Sequence, residues 1–337
     1  MPSQGEGICG GPERSARAMH ACAPSRRGGA RAASRNTQEW VLENACIEGG
    51  ADRMEIHDDD APERGAPTMN ERDSRRVPRT LTVRPVATIA ASARAPFLAA
   101  MPEPQELYVE RRFAKAEKRL LLDARSGAEI GYAAIDEGTL VEHWLTDSAD
   151  AGAMIEAIGA RRALCPSFDA ARLAVLTPHF VQARVVGYLF RALDRAALSS
   201  SQALAAHGLT ARLARSADAK AILAMHEGFF DDADEVAQYT DDEGLMLFFD
   251  VDDALIGCGV RRRVVAGAPG VDIGMVVAPA MRGRGVGAAI VREMARRCLA
   301  AGDRPICGCD VDNLASRRAL ARAGFVGAHP LIELARP

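Results

Sequence analysis

The chain has 337 residues, 48% hydrophobic, 26% charged and 5% aromatic, which suits two domains at roughly 100–200 residues each. Its 42 basic and 45 acidic residues leave a formal net charge of −3, so no global positive field draws it to nucleic acid or an anionic membrane. The most apolar long window, Leu81 to Met101, is broken by Arg84, Pro85, Arg94 and Pro96, and the N-terminus lacks the basic, apolar and small-residue order of a signal peptide.

Residues 1–100 are rich in Gly, Ala, Arg, Ser and Pro, carry the run Asp58-Asp59-Asp60 and hold no sustained period. The expectation is a disordered tail, or a segment ahead of the true start with Met69 or Met101 as first residue. From Leu107 the pattern is ordered. Strands are expected at Arg119–Asp123, Glu129–Ile135 and Thr139–Thr146, a helix at Ala149–Arg162 and a short apolar run at Ala163–Pro166. A helix at Asp169–Leu176 and a strand at Arg184–Arg191 complete this part.

Ser199–His207 reads as a linker, after which a fuller version of the same order begins. It comprises a strand at Thr210–Leu213, a helix at Ser216–Gly228, and the acidic stretch Asp231–Glu243. A hairpin of Leu245–Val251 and Ala254–Val265 follows, then a strand at Val271–Val277 and a long helix at Gly285–Ala301. The end is a strand at Arg304–Val311, a helix at Ala315–Ala323 and a strand at Leu331–Ala335. The two parts share an element order, as a duplicated unit with a reduced first copy would. Alternating strands and helices give an α/β (α+β) class with a mixed central sheet flanked by helices. The domains are placed at 107–198 and 208–337.

Lysine occurs only at Lys115, Lys118 and Lys220, so the many arginines are a compositional habit rather than a phosphate signal in themselves. The eight cysteines, Cys9, Cys22, Cys46, Cys165, Cys258, Cys298, Cys307 and Cys309, are scattered without paired zinc spacing or a disulfide framework. They read as reduced structural thiols, which points to a cytoplasmic protein without a metal site.

One segment carries chemistry. A strand ending at Val277 passes through Ala278-Pro279 into Arg282-Gly283-Arg284-Gly285-Val286-Gly287 and then a helix. Unshielded N–H groups of a glycine-rich turn, a helix N-terminus and two arginines form a diphosphate cradle. Gly283-x-Gly285-x-x-Ala288 also fits a dinucleotide fingerprint with Asp310 as ribose acid, but too little chain follows for a Rossmann sheet.

Arg282-x-x-Gly285-x-Gly287 resembles the acetyl-CoA pyrophosphate loop of the GNAT N-acetyltransferases. Asn313-Leu-Ala-Ser316-Arg-Arg-Ala-Leu320-Ala-Arg-Ala-Gly324-Phe325 resembles that family's second motif, at the family's usual separation. The resemblance covers 210–337 closely and implies a GNAT fold in two lobes. Residues 107–200 look like a degenerate copy, without the glycine-rich loop, that does not bind CoA. The implied activity is N-acetyl transfer from acetyl-CoA, as co-substrate, to a small-molecule amine by direct attack.

By the same resemblance, backbone groups of Met275, Val276 and Val277 hold the pantetheine arm. The N–H groups of Arg282, Gly283, Arg284, Gly285, Val286, Gly287 and Ala288 take the pyrophosphate. Asn313 lines the pantetheine or caps its helix. Many GNATs carry a tyrosine acid where this chain has Leu320, so the thiolate leaves unassisted or Ser316 substitutes. Asp272, the central strand's carboxylate, is the candidate base, directly or through water, with Glu227 its rival. Glu227, Asp231 and Asp232 on the acceptor side suit a small cationic or amino-acid-like amine. A protein N-terminus, or CoA binding without turnover, are the alternatives. His179 and His226 read as structural, and a homodimer is left open.

Overall fold

The computed structural model describes residues 80–198, 204, 207–225, 229–230 and 232–336. These form two units, one of residues 80–191 with 327–336 and the other of Ala192–Val326.

The first unit begins earlier than its sequence pattern suggests. Strand β1 (Leu81–Val86) and helix α1 (Ala91–Ala100) precede α2 (Leu107–Lys115), β2 (Glu117–Asp123), β3 (Glu129–Asp136) and β4 (Thr139–Leu145). Helix α3 (Ala151–Ile158), β5 (Arg162–Pro166), α4 (Ala170–Leu176) and β6 (Gln182–Leu193) follow. The helix expected to reach Arg162 stops at Ile158, closed by Gly159, and Arg162 already belongs to β5.

The expected tail over 1–100 is therefore corrected in its last part. β1 pairs antiparallel with β2 from Leu81↔Asp123 to Val86↔Lys118, and Leu81 and Val83 pack on the core of Leu121, Ile135, Leu140, Met154, Ile155 and Leu176. In α1, Phe97 is buried, and Arg94 reaches two carboxylates. Its Nε donates to Glu142 Oε1 at 2.7 Å and its Nη1 to Glu110 Oε2 at 2.9 Å, while the Tyr132 hydroxyl donates to Glu142 Oε1 at 2.7 Å. Glu142 is wholly buried, so Arg94 balances a charge that would otherwise cost several kcal/mol in place. Residues 1–79 lie outside the described residues.

The second unit contains β7 (Thr210–Leu213), α5 (Ala219–Met225), α6 (Ala233–Asp241), β8 (Leu245–Phe249), β9 (Leu255–Arg263) and β10 (Gly270–Val277). Helix α7 (Val286–Ala300), β11 (Arg304–Asp310), α8 (Leu314–Arg322) and β12 (Phe325–Ala335) end the chain. The helix expected over Ser216–Gly228 opens as a 3₁₀ turn, Ser216–Asp218, before α5, and residues 226–228 lie outside the described residues. Each copy now reads β-α-α-β-β-β-α-β-α-β. The first copy is not reduced: its missing strand and helix lie in the segment that reads as tail.

Strand order in the second unit is β7-β8-β9-β10-β11. β7, β8, β9 and β10 pair antiparallel in sequence, and β10 meets β11 in parallel. A doubly wound dinucleotide sheet would be parallel throughout this region, so the Rossmann alternative fails on topology. One face carries α5 and α6 over Ile222, Phe230, Val236, Tyr239, Leu247, Val260 and Val276. On the other, α7 lies close because β9 offers glycines. A Cβ on Gly257 would stand 2.7 Å from Ile290 Cδ1, and one on Gly259 2.6 Å from Met294 Sδ.

The first unit runs β1-β2-β3-β4-β5-β12-β6. The last strand of the chain thus pairs antiparallel with β5, Leu331↔Pro166 through Ala335↔Arg162, and Ile332 and Leu334 enter the first unit's core. Residues 331–335, placed by sequence in the domain 208–337, fold with residues 80–191. No helix among the described residues is long and apolar enough to cross a membrane.

Candidate functional site

The site is built on the parting of two strands. β10 stays in register with β9 along its length, Val271↔Arg263 through Val277↔Gly257. Its pairing with β11 covers only Gly270↔Arg304, Val271↔Pro305 and Asp272↔Ile306. Beyond Asp272 the strands diverge, and the β10 edge of Met275, Val276 and Val277 has no ladder partner on that side. At ~3.3 Å per residue, this open edge runs about 16 Å from Asp272 to Val277.

Side chains alternate about this edge. Val276 joins the α5/α6 core, whereas Met275 and Val277 face α7, near Gly287. Pro279–Met281 form a 3₁₀ turn, and the chain then swings through Gly283 (φ +77°) and Gly285 (φ +84°, ψ −5°) into α7. The first bond within α7 runs from the Ala289 N–H to the Gly285 carbonyl at 3.2 Å. The N–H groups of Val286, Gly287 and Ala288 thus lie at the helix mouth, with no side-chain cap and no acidic residue in the first turn. Such a mouth carries uncompensated positive dipole. Arg282 and Arg284 flank it, both exposed. The Arg282 Nε donates to the Val277 carbonyl at 3.2 Å, while Arg284 makes only a long contact to Met281 Sδ at 3.9 Å. Backbone donors, an open strand edge and exposed cationic heads fit a nucleotide-diphosphate thioester such as acetyl-CoA.

The remaining sequence candidates fall in different places. Asp272 lies in the last paired row before the opening, on the face of Gly274 and Val276 and across from Arg262. The Arg262 guanidinium lies 5.3 Å from the centre of the Tyr239 ring. Burial pushes the Cys298 thiol up to about 11, with Asp303 and Asp272 adding to the rise. Asn313 caps α8, its Oδ1 accepting the Ser316 N–H at 3.0 Å. Ser316 is half-buried in the first turn of α8, and Leu320, at the tyrosine position, is sealed in the core.

On the acceptor side, Asp232 caps α6 by accepting the Glu235 N–H at 2.9 Å, so its carboxylate has a structural task. Phe230 is buried between Phe229 and Tyr239, at 4.8 and 5.8 Å. Glu227, Asp231 and His226 lie outside the described residues. A residue that sequence reading passed over is His207, in the presumed linker. Its ring stands against the cradle, with Cε1 3.4 Å and Nε2 3.7 Å from where a Cβ on Gly285 would be. A lone histidine between small residues carries no periodic signal to reveal this.

The first unit repeats the parting without the cradle. β4 pairs with β5 only at Thr139↔Arg162 and Leu140↔Ala163. Into this opening α4 sends Arg172, whose Nη2 donates to the Val141 carbonyl at 2.8 Å. The turn into α3 is Thr146-Asp147-Ser148-Ala149-Asp150, acidic where the second unit is basic.

Residues 216–325 match the family described as "Acetyltransferase (GNAT) family". Among solved structures, a GNAT-family acetyltransferase from Colwellia psychrerythraea is similar over 76% of this chain and 100% of its own, at 15% identity and a TM-score of 0.64. A tandem GNAT protein from the clavulanic acid biosynthesis pathway is similar over 76% of this chain and 98% of its own, at 12% identity and a TM-score of 0.47. No curated protein matches the chain. At 15% identity the likeness to the Colwellia protein speaks to fold alone, and the family match is confined to the second unit. The region of strands β8 to β11 and helices α5 to α8 is a domain of the GNAT acetyltransferase family.

Proposed function

We propose that the second unit transfers an acetyl group from acetyl-CoA to the primary amine of a small cationic or amino-acid-like substrate, by direct attack of the amine. The observation that carries this reading is the parting of β10 from β11 immediately beyond Asp272, with the uncapped start of α7 at the mouth. The thioester supplies an activated acyl group and a leaving thiol. The open edge of Met275, Val276 and Val277 accepts the pantetheine amides as an added strand would. The N–H groups of the Arg282–Ala288 turn, with Arg282 and Arg284, hold the diphosphate.

Asp272 takes the ammonium proton, directly or through water, from its place at the inner end of the opening. With Leu320 in the core, the thiolate departs unassisted, as a group ionising near ~8.5 can, or with a hydrogen bond from Ser316. Asp232 is engaged as a cap, so attraction of a cationic acceptor falls to Glu227 and Asp231. The first unit takes no CoA: Arg172 occupies its opening, and Asp147 and Asp150 would repel a phosphate at its turn. A second reading, acyl-CoA binding without turnover, is favoured by the buried Leu320 alone.

The test is calorimetric titration of acetyl-CoA into the full chain, with NAD as comparison, followed by thiol release with a panel of amines. One site for acetyl-CoA, none for NAD and release with an amine support the proposal. Two acetyl-CoA sites overturn the silent first unit, and no binding by folded protein overturns the cofactor. Binding without release by any amine, with Asp272→Asn and Ser316→Ala equally silent, leaves the second reading.

A further inference from the structure

The diphosphate cradle has a neighbour that is not part of its loop. His207 stands just ahead of β7 and is tied by its backbone to Leu204. The His207 and Leu209 N–H groups both donate to the Leu204 carbonyl, at 3.0 and 2.9 Å. Leu209 is buried at 7% exposure, and Gly208 (φ +62°) lies so close to the hairpin tip that a Cβ there would be 2.8 Å from Val251 Cγ1. An anchored leucine and a glycine whose left-handed φ few side chains adopt set the place of His207. That place is beside Gly285, the residue from which α7 starts, with the Cε1–Nε2 edge of the ring turned to the loop. Among the described residues no side chain accepts a hydrogen bond from it, and its exposed ring faces the region that Arg282 and Arg284 make positive.

We propose that His207 is a third side-chain donor of the cradle, placing its Nε2 edge on the diphosphate of the bound acyl-CoA. This rests on the acetyl-CoA reading above. The linker would thereby contribute directly to cofactor affinity, so that the turn before the first strand and the turn before α7 close on the same two phosphates from either side. A neutral imidazole can donate from Nε2 and an imidazolium from both nitrogens, and either suits an anionic acceptor.

The test measures binding, not turnover, in the full chain, with wild type, His207→Ala and His207→Gln. Three probes are used: acetyl-CoA, its 3′-dephospho form, and acetyl-pantetheine, which lacks the diphosphate. For His207→Ala the expected result is a loss of about tenfold for both nucleotides, the effect of one hydrogen bond to a charged group, and no change for acetyl-pantetheine. His207→Gln, which keeps a donor, should recover part of the loss. An equal loss for acetyl-pantetheine would make His207 merely structural and overturn the proposal. A loss confined to acetyl-CoA itself would assign the ring to the 3′-phosphate and overturn it as well. Unchanged affinity for all three probes overturns it while leaving the acetyl-CoA reading intact; wild type that binds no probe fails the reading itself.

Discussion

Two glycines of the cradle, two residues apart, should respond oppositely to alanine. Gly285 sits at φ +84° and ψ −5°, where an L side chain costs ~1–2 kcal/mol. The space is not the obstacle, since a Cβ there meets His207 only at 3.4 Å. Gly287 is already helical, and its Cβ would point inward to ordinary contacts with Ala319 Cβ and Val277 Cγ2, both at 3.5 Å. Alanine there should stabilise by ~0.4–1 kcal/mol by restricting the unfolded chain. The two variants should thus differ by roughly 2 kcal/mol, or about 6 °C in the melting of a unit of this size. Gly285→Ala should also lose acetyl-CoA affinity by about tenfold, because the N–H groups of Val286 to Ala288 are aimed by that residue, a shift of ~1.4 kcal/mol. Gly287→Ala should bind within about twofold of wild type, since it keeps its backbone N–H and its methyl makes only ordinary contacts. Scanning calorimetry and a titration read both quantities. Equal melting shifts, or an equal loss of affinity, would refute the assignment of the helix mouth as the cradle.

Arg284→Glu should abolish measurable acetyl-CoA binding in a titration with an unchanged melting profile, since the exposed arginine has no ion pair among the described residues; retained binding would remove it from the site. A chain begun at Met101 lacks β1 and α1 and strands Glu142 and Glu110 without Arg94. It should lose the first unit's cooperative transition, as breaking a buried pair costs ~3–5 kcal/mol. His143 is buried and its imidazole is held well below the usual range, chiefly by burial and then by Arg172. The unfolded chain then binds the extra proton, so the first unit should lose up to ~1.4 kcal/mol per pH unit as pH falls below ~6.5. His143→Phe should flatten that slope in urea titrations taken between pH 7 and 5. Asp218 is held at about 2 by the Arg212 guanidinium, with 2.7 and 2.8 Å contacts, so its part in stability is present above about 4 and lost as pH falls towards 2. Asp218→Asn should remove that part of the acid transition.

The strand, turn and helix that frame the proposed cradle were legible because they are local: glycine spacing, flanking arginines and a strand before a helix all lie within one short segment. At Asn313 the sequence left two roles open, pantetheine contact and helix cap, and the structure shows the cap. What escaped notice has two physical causes. Helix α1 turns Arg94 inward, and a reading that equates inward with apolar counts that residue as solvent-facing; with Pro96 inside the helix, the segment looked like tail. Pairings distant in sequence escaped too. Nothing in Leu331–Ala335 announces that its partner is Arg162–Pro166, because a buried strand carries the same alternation whichever sheet receives it. Asp232 has a second task that its acidic setting does not announce: one of its carboxylate oxygens caps a helix end.

The place of β12 bears on how the chain is made. A ribosome releases residues 80–191 first, and domains usually fold as they emerge. Here the earlier unit leaves the tunnel with the edge of β5 unpaired, and Arg162–Pro166 waits for Leu331–Ala335 while the whole second unit is translated. During that wait an apolar strand edge is exposed to any passing chain. Nascent copies are thus vulnerable to cross-pairing for as long as the second unit is being made, until Leu331–Ala335 complete the pairing of β5.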